Sequence, residues 1–195
     1  MQYSTALRDN QQNQIESTVG TAAKLQLRTG APPADCAAAD TGTLLAELTL
    51  PSDWLTASSS GQVAKNGTWT GTGAATGTPR HFRIKNNAGS TTHIQGSVFP
   101  QAQIATNALT AANSNVLNFA STTGVQVGMS VSGTGVPAGA TVLAVTATTV
   151  TLSHASTAGV ANATTITFGG EITMGDIANL AAVTVNSATF DRGNA

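Results

Sequence analysis

The strongest constraint on the fold of this chain is a long stretch without charge. Its 195 residues include 8 Lys and Arg and 9 Asp and Glu, and all of these lie in residues 8–85 or 171–192. Residues 86–170 contain no Asp, Glu, Lys or Arg. A change in composition of this kind indicates a domain boundary. The sequence therefore predicts a charged host domain that an uncharged unit interrupts.

The composition excludes several classes of protein. Charged residues make up only 9% of the chain and the net charge is -1, whereas roughly a quarter of residues are charged in an ordinary domain. The 8 basic residues are spread along the sequence, so we expect no nucleic-acid partner. The first residues lack the apolar segment of a signal peptide, and no apolar run approaches the roughly 20 residues of a membrane span. We therefore expect synthesis in the cytoplasm without export, and no membrane association.

One segment at the start of the host predicts a helix over about residues 4–20. Ser4 or Thr5 is suited to cap its start, and Gly20 is placed to end it. Because its apolar stripe is thin, we expect the helix to lie on another chain or on the host sheet. The apolar stripe is Leu7, Ile15 and Val19, and the opposite face, expected to be solvated, is Asp9, Asn10, Gln12, Asn13 and Glu16.

The rest of the host shows short β patterns bounded by turn residues, which favour an antiparallel β-sandwich or jelly roll. In residues 80–85, Phe82 and Ile84 face one way while Arg83 and Lys85 face the other. A Pro/Ala-rich loop occupies residues 30–41. The predicted host strands are residues 24–28, 43–50, 67–70, 80–85, 92–98 and 182–190.

The uncharged unit repeats the β signal through its many Thr and Val residues. We place this inserted module at residues 107–169 and the host at residues 1–106 and 170–195. The module is expected to be a small all-β barrel or sandwich, inserted at a loop whose ends lie close together. Ala147 and Thr148 form a tight link that predicts a hairpin over residues 141–153. The predicted module strands are residues 116–119, 129–132, 141–146, 149–153 and 164–168.

The sequence contains no constellation of side chains typical of catalysis or metal binding. His81, His93 and His154 lack a second ligand at metal-binding spacing. Cys36 is the one cysteine, and its neighbours give no reason for a lowered thiol pKa. Without an acid, base and nucleophile arranged together, we expect a protein that is not an enzyme and that has no cofactor, metal or catalytic residues.

Eight residues are candidates for contact with a partner. The two tryptophans fit a sugar-stacking platform or the core, and the basic residues of one strand fit an acidic partner or a solvated face. The apolar residues of the N-terminal segment fit a latch onto neighbouring subunits. These candidates are Tyr3, Leu7, Ile15, Trp54, Trp69, Arg80, Arg83 and Lys85.

Two parts of the host carry a family resemblance. The loop A-P-P-A-D-C-A-A-A-D-T-G-T at residues 31–43, the L-P-S-D-W motif at residues 50–54 and the Gly-Asn-Ala end at residues 193–195 resemble a family of small tailed-bacteriophage virion proteins of the capsid decoration or cement type. The likeness covers residues 1–98 and, more weakly, 171–195. It implies a structural role in the virion and confers no catalytic residues.

A second stretch, residues 123–153, resembles a Thr/Gly-rich β module that recurs in phage structural proteins and surface adhesins. In the host family, the strand ending near Val98 leads almost directly into the segment near Glu171. This chain departs from that pattern by carrying the module there. The departure agrees with the boundary that the charge distribution indicates independently.

Together the resemblances imply a non-enzymatic virion protein, made in the cytoplasm of the host cell. The first expectation is a capsid decoration or cement protein that binds the major capsid protein or other virion proteins, as a homo-oligomer, and stabilises the head. The alternative is a tail or neck component, or a receptor-binding accessory, whose inserted module contacts glycan on the surface of the host bacterial cell.

Overall fold

The computed structural model describes residues 3–156, 158–174 and 176–191; the Gly-Asn-Ala end lies outside them. The fold is mainly β, of the β-sandwich type, with one N-terminal helix, as predicted. The elements are α1 (Thr5–Val19), β1 (Lys24–Arg28), β2 (Leu44–Thr49), β3 (Gln62–Ala64), β4 (Thr70–Thr72), β5 (His81–Lys85), β6 (Thr92–Phe99), β7 (Ala102–Ala105), β8 (Val116–Asn118), β9 (Ser130–Ser132), β10 (Val142–Val145), β11 (Thr149–Leu152), β12 (Thr165–Gly169), β13 (Ile172–Thr173), β14 (Ala182–Thr184) and β15 (Ser187–Asp191).

The chain forms two compact units. One unit comprises Met1–Phe99 with Glu171–Ala195, and the other is Pro100–Gly170. We keep the names host and module for them. The predicted module start at Asn107 falls inside the second unit, because β7 pairs with β12 along its whole length. The sequence of β7, Ala-Gln-Ile-Ala, is too short and too weakly alternating to indicate that this strand belongs to the module.

The host is built on a seven-stranded sheet with the order β2-β1-β5-β6-β13-β15-β3. Its neighbours are antiparallel except β6 and β13, which are parallel. Strands β4 and β14 form a separate antiparallel pair. The predicted strand at residues 67–70 corresponds to β4, which begins only at Thr70.

Strict alternation gives the host sheet two chemically different faces. In the register of β1 and β5, Leu25 lies opposite Ile84 and Leu27 opposite Phe82, while Gln26 lies opposite Arg83 on the other face. The apolar face forms the core, because burying these side chains removes them from water. Fully buried core residues include Leu25, Leu27, Leu45, Leu48, Trp54, Trp69, Phe82 and Ile84.

The single strand predicted at residues 182–190 is in fact two strands, β14 and β15. Val183 and Val185 are buried, and the buried positions then shift to Ala188 and Phe190. The shift at Asn186 lets the first half pair with β4 and the second half with β13 and β3. Alternation that changes phase cannot continue as one strand, since successive side chains point to opposite faces.

The module consists of two three-stranded antiparallel sheets, β10-β11-β8 and β7-β12-β9. Phe119 and Phe168 meet edge to face in its core, with ring centroids 5.7 Å apart. The predicted hairpin is confirmed, since β10 and β11 pair directly and the Thr146 N–H donates to the Thr149 carbonyl. Of the two predicted forms, the sandwich is the one that matches this pair of sheets.

The two host strands that flank the module are neighbours in the host sheet. Ile172 lies beside Val98 and Thr173 beside Phe99 in the parallel pairing of β13 with β6. The two ends of the host at the insertion point are therefore held together by its own hydrogen bonds. This geometry explains why the host tolerates an insertion here.

We predict that the host folds without the module. Replacing residues 100–170 with a Gly/Ser linker of about six residues should leave the unfolding free energy of the host within about 2 kcal/mol of the full-length value. The reason is that a shorter loop has a smaller entropic cost of closure. Both tryptophans of the chain, Trp54 and Trp69, lie in the host. Tryptophan fluorescence during urea unfolding therefore reports on the host alone, and loss of its cooperative transition would contradict the prediction.

Candidate interaction surface

Helix α1 begins and ends where the sequence predicts. The Ser4 hydroxyl accepts a hydrogen bond from the Leu7 N–H at 3.3 Å and caps the first turn. At the other end, the Gly20 N–H donates to the Glu16 carbonyl at 2.8 Å, and Gly20 has a φ of +93° that favours glycine.

The helix docks on the host through polar side chains together with Val19, which is 5% exposed and lies in the host core. The Gln12 side chain is buried and donates from Nε2 to the Gly61 carbonyl at 2.9 Å and to the Phe190 carbonyl at 3.2 Å. One carboxyl oxygen of Asp9 accepts hydrogen bonds from the Ser58 hydroxyl at 2.8 Å and from the Gly61 N–H at 2.7 Å. These two bonds, with the charge of the adjacent arginine, hold the pKa of the Asp9 carboxyl below its usual value against a weaker opposing effect of desolvation.

Two further side chains on the same face bind the backbone of the host. The Asn13 amide oxygen accepts the Ser58 N–H at 2.8 Å, and a Glu16 carboxyl oxygen accepts the Trp54 N–H at 2.7 Å. Gly61, with a φ of +80°, lets the helix approach this turn closely, since a Cβ there would lie 2.9 Å from a guanidinium nitrogen of Arg8.

The expectation that this face is solvated is therefore wrong for Gln12, which is buried, and for Asp9 and Glu16, which are half-buried, whereas Asn13 is exposed. The turn at residues 58–61 presents backbone groups that need hydrogen-bond partners, and polar side chains satisfy them where apolar ones could not. Asn10, on the same predicted face, is exposed. Of the predicted apolar stripe, Val19 lies in the host core, Ile15 packs against that core, and only Leu7 is exposed.

The outer side of α1 is the candidate interaction surface. Tyr3 is 42% exposed and Leu7 is 44% exposed. Ile15 is half-buried, packs against the edge of the host core and lines a shallow groove of about 230 Å³ with His93 and Ile94 of β6. Of the three apolar residues predicted to form a latch, Tyr3 and Leu7 are thus accessible, and Ile15 is accessible in part.

Trp54 and Trp69 belong to the core, not to a surface. Both are fully buried, and their ring centroids lie 6.0 Å apart. Each indole N–H donates to a carbonyl within the host, that of Trp54 to Gly20 at 3.2 Å and that of Trp69 to Asn66 at 3.0 Å. Their assignment to an interface or a sugar-stacking platform is corrected, since neither ring is accessible.

The basic strand β5 is covered by the Pro/Ala-rich loop at residues 30–41. Arg83 is only 1% exposed and donates to the carbonyls of Cys36 and Ala38, at 2.8 and 3.0 Å. Lys85 is also buried. The predicted interface role of Arg83 and Lys85 is corrected, because the loop occupies the face that they share, whereas Arg80 is exposed.

A single carboxylate, Asp40, holds the loop on this face. It forms ion pairs with Arg83 at 2.7 Å, Lys85 at 2.7 Å and Arg28 at 2.9 Å. Burial of the carboxyl opposes its ionisation, but the hydrogen bond from Lys85 and the charges of the three cations outweigh this and hold the pKa of Asp40 below its usual value. We call these four residues the Asp40 cluster.

Neutral contacts anchor the remainder of the loop. His81 is fully buried, and its Nδ1 lies 3.0 Å from the Gly30 carbonyl. Burial lowers the pKa of His81 most, with a contribution from the positive charges of Arg28 and Arg83 in the same direction. The Gln95 amide donates to the Pro33 carbonyl at 2.8 Å.

Within the part of the chain that the structure describes, no group of three or more His, Cys, Asp or Glu side chains is arranged to hold a metal ion. Cys36, the one cysteine of the chain, is half-buried and forms no disulfide. The described helix is too short and too polar to cross a membrane. Comparison with protein-family models, curated proteins and solved structures finds no match for this chain.

We predict that Gln12 is the main hydrogen-bonding anchor of the helix. Gln12→Ala leaves two buried carbonyl acceptors without their donor and should lower the unfolding free energy by roughly 1–3 kcal/mol. Amide hydrogen exchange should accelerate across α1 more than in the host sheet. Gln14→Ala is the matched control, because the Gln14 side chain is exposed and bonds only to Ser17 in the same helix. Equal effects of the two substitutions would contradict this role.

We also predict that Asp40 stabilises the fold in a pH-dependent way. Asp40→Asn should lower the unfolding free energy at pH 7 by about 2 kcal/mol, since it removes the carboxylate that three cations share. Because the folded-state pKa of Asp40 lies below its unfolded value of roughly 3.9, the contribution is present above that pH and is lost as the pH falls through the folded pKa. The wild type and variant should therefore converge in strong acid.

Urea unfolding between pH 2 and pH 7 measures both effects of Asp40→Asn. Asp53→Asn serves as the control, because Asp53 is exposed and accepts a single hydrogen bond from Asn66. It should change the unfolding free energy by less than about 0.5 kcal/mol. The ion-pair explanation is contradicted if Asp40→Asn does not lower the unfolding free energy at pH 7. It is also contradicted if the decrease at pH 2 equals the decrease at pH 7.

Proposed function

We propose that this chain is a non-enzymatic structural protein of a bacteriophage virion, and in particular a decoration or cement protein of the capsid. The observation that carries the proposal is that Tyr3 and Leu7 are exposed at the start of helix α1, while polar bonds and the buried Val19 fix the helix to the host. The sequence resemblance of residues 1–98 to small tailed-phage virion proteins supplies the biological setting.

An exposed apolar helix face suits a protein that works in many copies. Exposed apolar surface concentrated on one element is typical of an interaction site, although the contribution of Tyr3 and Leu7 to any one contact is small. Repeated over a symmetric shell and linked through homo-oligomers, weak contacts of this size add up to stable attachment. The partners in this proposal are the major capsid protein and neighbouring copies of this chain, and its location is the virion.

The host sheet is covered on both faces. Trp54 and Trp69 pack in the core on one face, and the loop that Asp40 anchors covers the polar face. The exposed large apolar side chains in the described part of the host are Tyr3 and Leu7 at the helix and Leu180 in a loop. This arrangement supports a scaffold that presents a contact surface.

The module favours a second candidate function. Its side chains include no Lys, Arg, Asp or Glu, yet Leu109, Val127 and Leu143 are exposed, Leu109 by 71%. An uncharged surface with apolar and hydroxyl groups suits contact with glycan on the host cell. The alternative is therefore a tail or neck component or a receptor-binding accessory, in which the module makes the decisive contact.

The two candidates predict opposite results from a pair of matched leucine substitutions. Leu7→Glu on the helix should abolish binding to purified phage heads, by at least tenfold in dissociation constant, while leaving the unfolding free energy within about 0.5 kcal/mol. Leu109→Glu on the module is the control and should bind heads normally. Co-sedimentation with heads and with tails, followed by quantitative gel analysis, measures the binding.

Binding to tails alone would reject the decoration role and favour the module-centred alternative. The same conclusion would follow if Leu109→Glu abolished binding to heads and Leu7→Glu did not. Absence of binding to either particle part would reject both virion placements.

A further inference from the structure

A cavity of about 470 Å³ opens beside the Asp40 cluster. Residues 36–40 of the loop form one side of it, and Lys85 with the hydroxyl-bearing Ser90, Thr91 and Thr92 forms the other. A volume of this size falls in the range of small-molecule sites. All lining residues belong to the host.

Positive charge is in excess at this cavity. The side chains of Arg28, Arg83 and Lys85 are 12%, 1% and 10% exposed, and the three cations share the single carboxylate of Asp40. Buried charge that lacks a counter-ion is costly, and one carboxylate balances only one of three cations. The cluster therefore retains a net charge of +2, from three cations and one anion.

The other carboxylates of this face have different hydrogen-bond partners. An Asp35 oxygen accepts the N–H groups of Ala37 and Ala38, both at 2.8 Å. A Glu47 oxygen accepts the Gln26 amide at 2.8 Å. With Lys24, which lies opposite Lys85 in the strand register, this face carries four cations against three carboxylates and keeps a net charge of +1.

Donor groups at the cluster also outnumber their acceptors. The Lys85 ammonium carries three N–H groups and makes its ion pair with Asp40. The Nε of Arg83 is buried and has no hydrogen-bond partner among the described residues. Arg83 does not line the cavity, so an anion there meets the Lys85 ammonium directly and offsets the charge of Arg83 through space.

We propose that this cavity binds a small oxyanion of the phosphate or carboxylate class. The Lys85 ammonium supplies the charge contact, and the hydroxyls of the cavity-lining Ser90, Thr91 and Thr92 supply further donors. The ligand is a small ion and not the surface of a folded partner, because Arg83 and Lys85 are buried and Lys85 lines the cavity. Its occupancy ties the loop to the sheet and stabilises the host.

Isothermal titration of the full chain with sodium phosphate, and separately with sodium acetate, tests the proposal. Sodium chloride holds the ionic strength constant, so that general screening does not contribute. We expect saturable binding of at least one anion and a matching rise in melting temperature. Lys85→Met should weaken binding at least tenfold while leaving Asp40 paired with Arg28 and Arg83. Lys65→Met is the matched control and should bind as the wild type does, because the Lys65 ammonium bonds to Gly67 away from the cluster.

A second variant keeps the test decisive if Lys85→Met does not fold. Thr92 lies opposite Lys85 in the β5–β6 register, so Thr92→Glu places a tethered carboxylate where the free anion would bind. It should abolish anion binding while holding the melting temperature at or above that of the anion-free wild type. Absence of saturable binding of either anion to the wild type overturns the proposal, as does wild-type affinity in Lys85→Met or Thr92→Glu.

Discussion

The host fold depends on one carboxylate that three cations share. Asp40 joins the loop at residues 30–41 to Arg28 on β1 and to Arg83 and Lys85 on β5. Without the loop, these strands would expose a charged face to solvent. Their cationic side chains would also lose the loop carbonyls to which they donate hydrogen bonds. With it, the sheet has an apolar face that forms the core and a polar face that is closed. An oxyanion in the adjacent cavity, which we propose, reduces the excess of positive charge at the Asp40 cluster.

Much of this fold follows from local sequence patterns. Alternation located β1, β5 and most module strands to within a residue or two, and the charge gap marked the module. Errors arose where pairing outweighs local pattern. Ala102–Ala105 joined the module through β12, and the phase change at Asn186 divided one apparent strand into two. Both depend on partners that are distant in sequence, which a local pattern does not contain.

The candidate surface was harder to predict, because a thin apolar stripe does not determine which face of a helix docks. In α1, Val19 enters the host core but Leu7 of the same predicted stripe is exposed. The side chains of Asp9, Gln12 and Asn13 satisfy the backbone of a turn near Gly61. Similarly, Arg83 and Lys85 share a face as predicted, but a loop some 45 residues earlier in the chain covers it. The sequence carried one usable signal for this, because the loop at residues 30–41 has two aspartates and no basic residue, while residues 80–85 include three basic residues.

We propose that the host domain binds a phage head through its helix and that the uncharged module takes no part in this contact. The sharpest test is immunogold electron microscopy of purified virions with antibodies raised against residues 100–170. Gold particles should be distributed over the heads of intact virions, at many copies per particle. Label confined to tails, or virions that carry no label although the chain is present in infected cells, would contradict it.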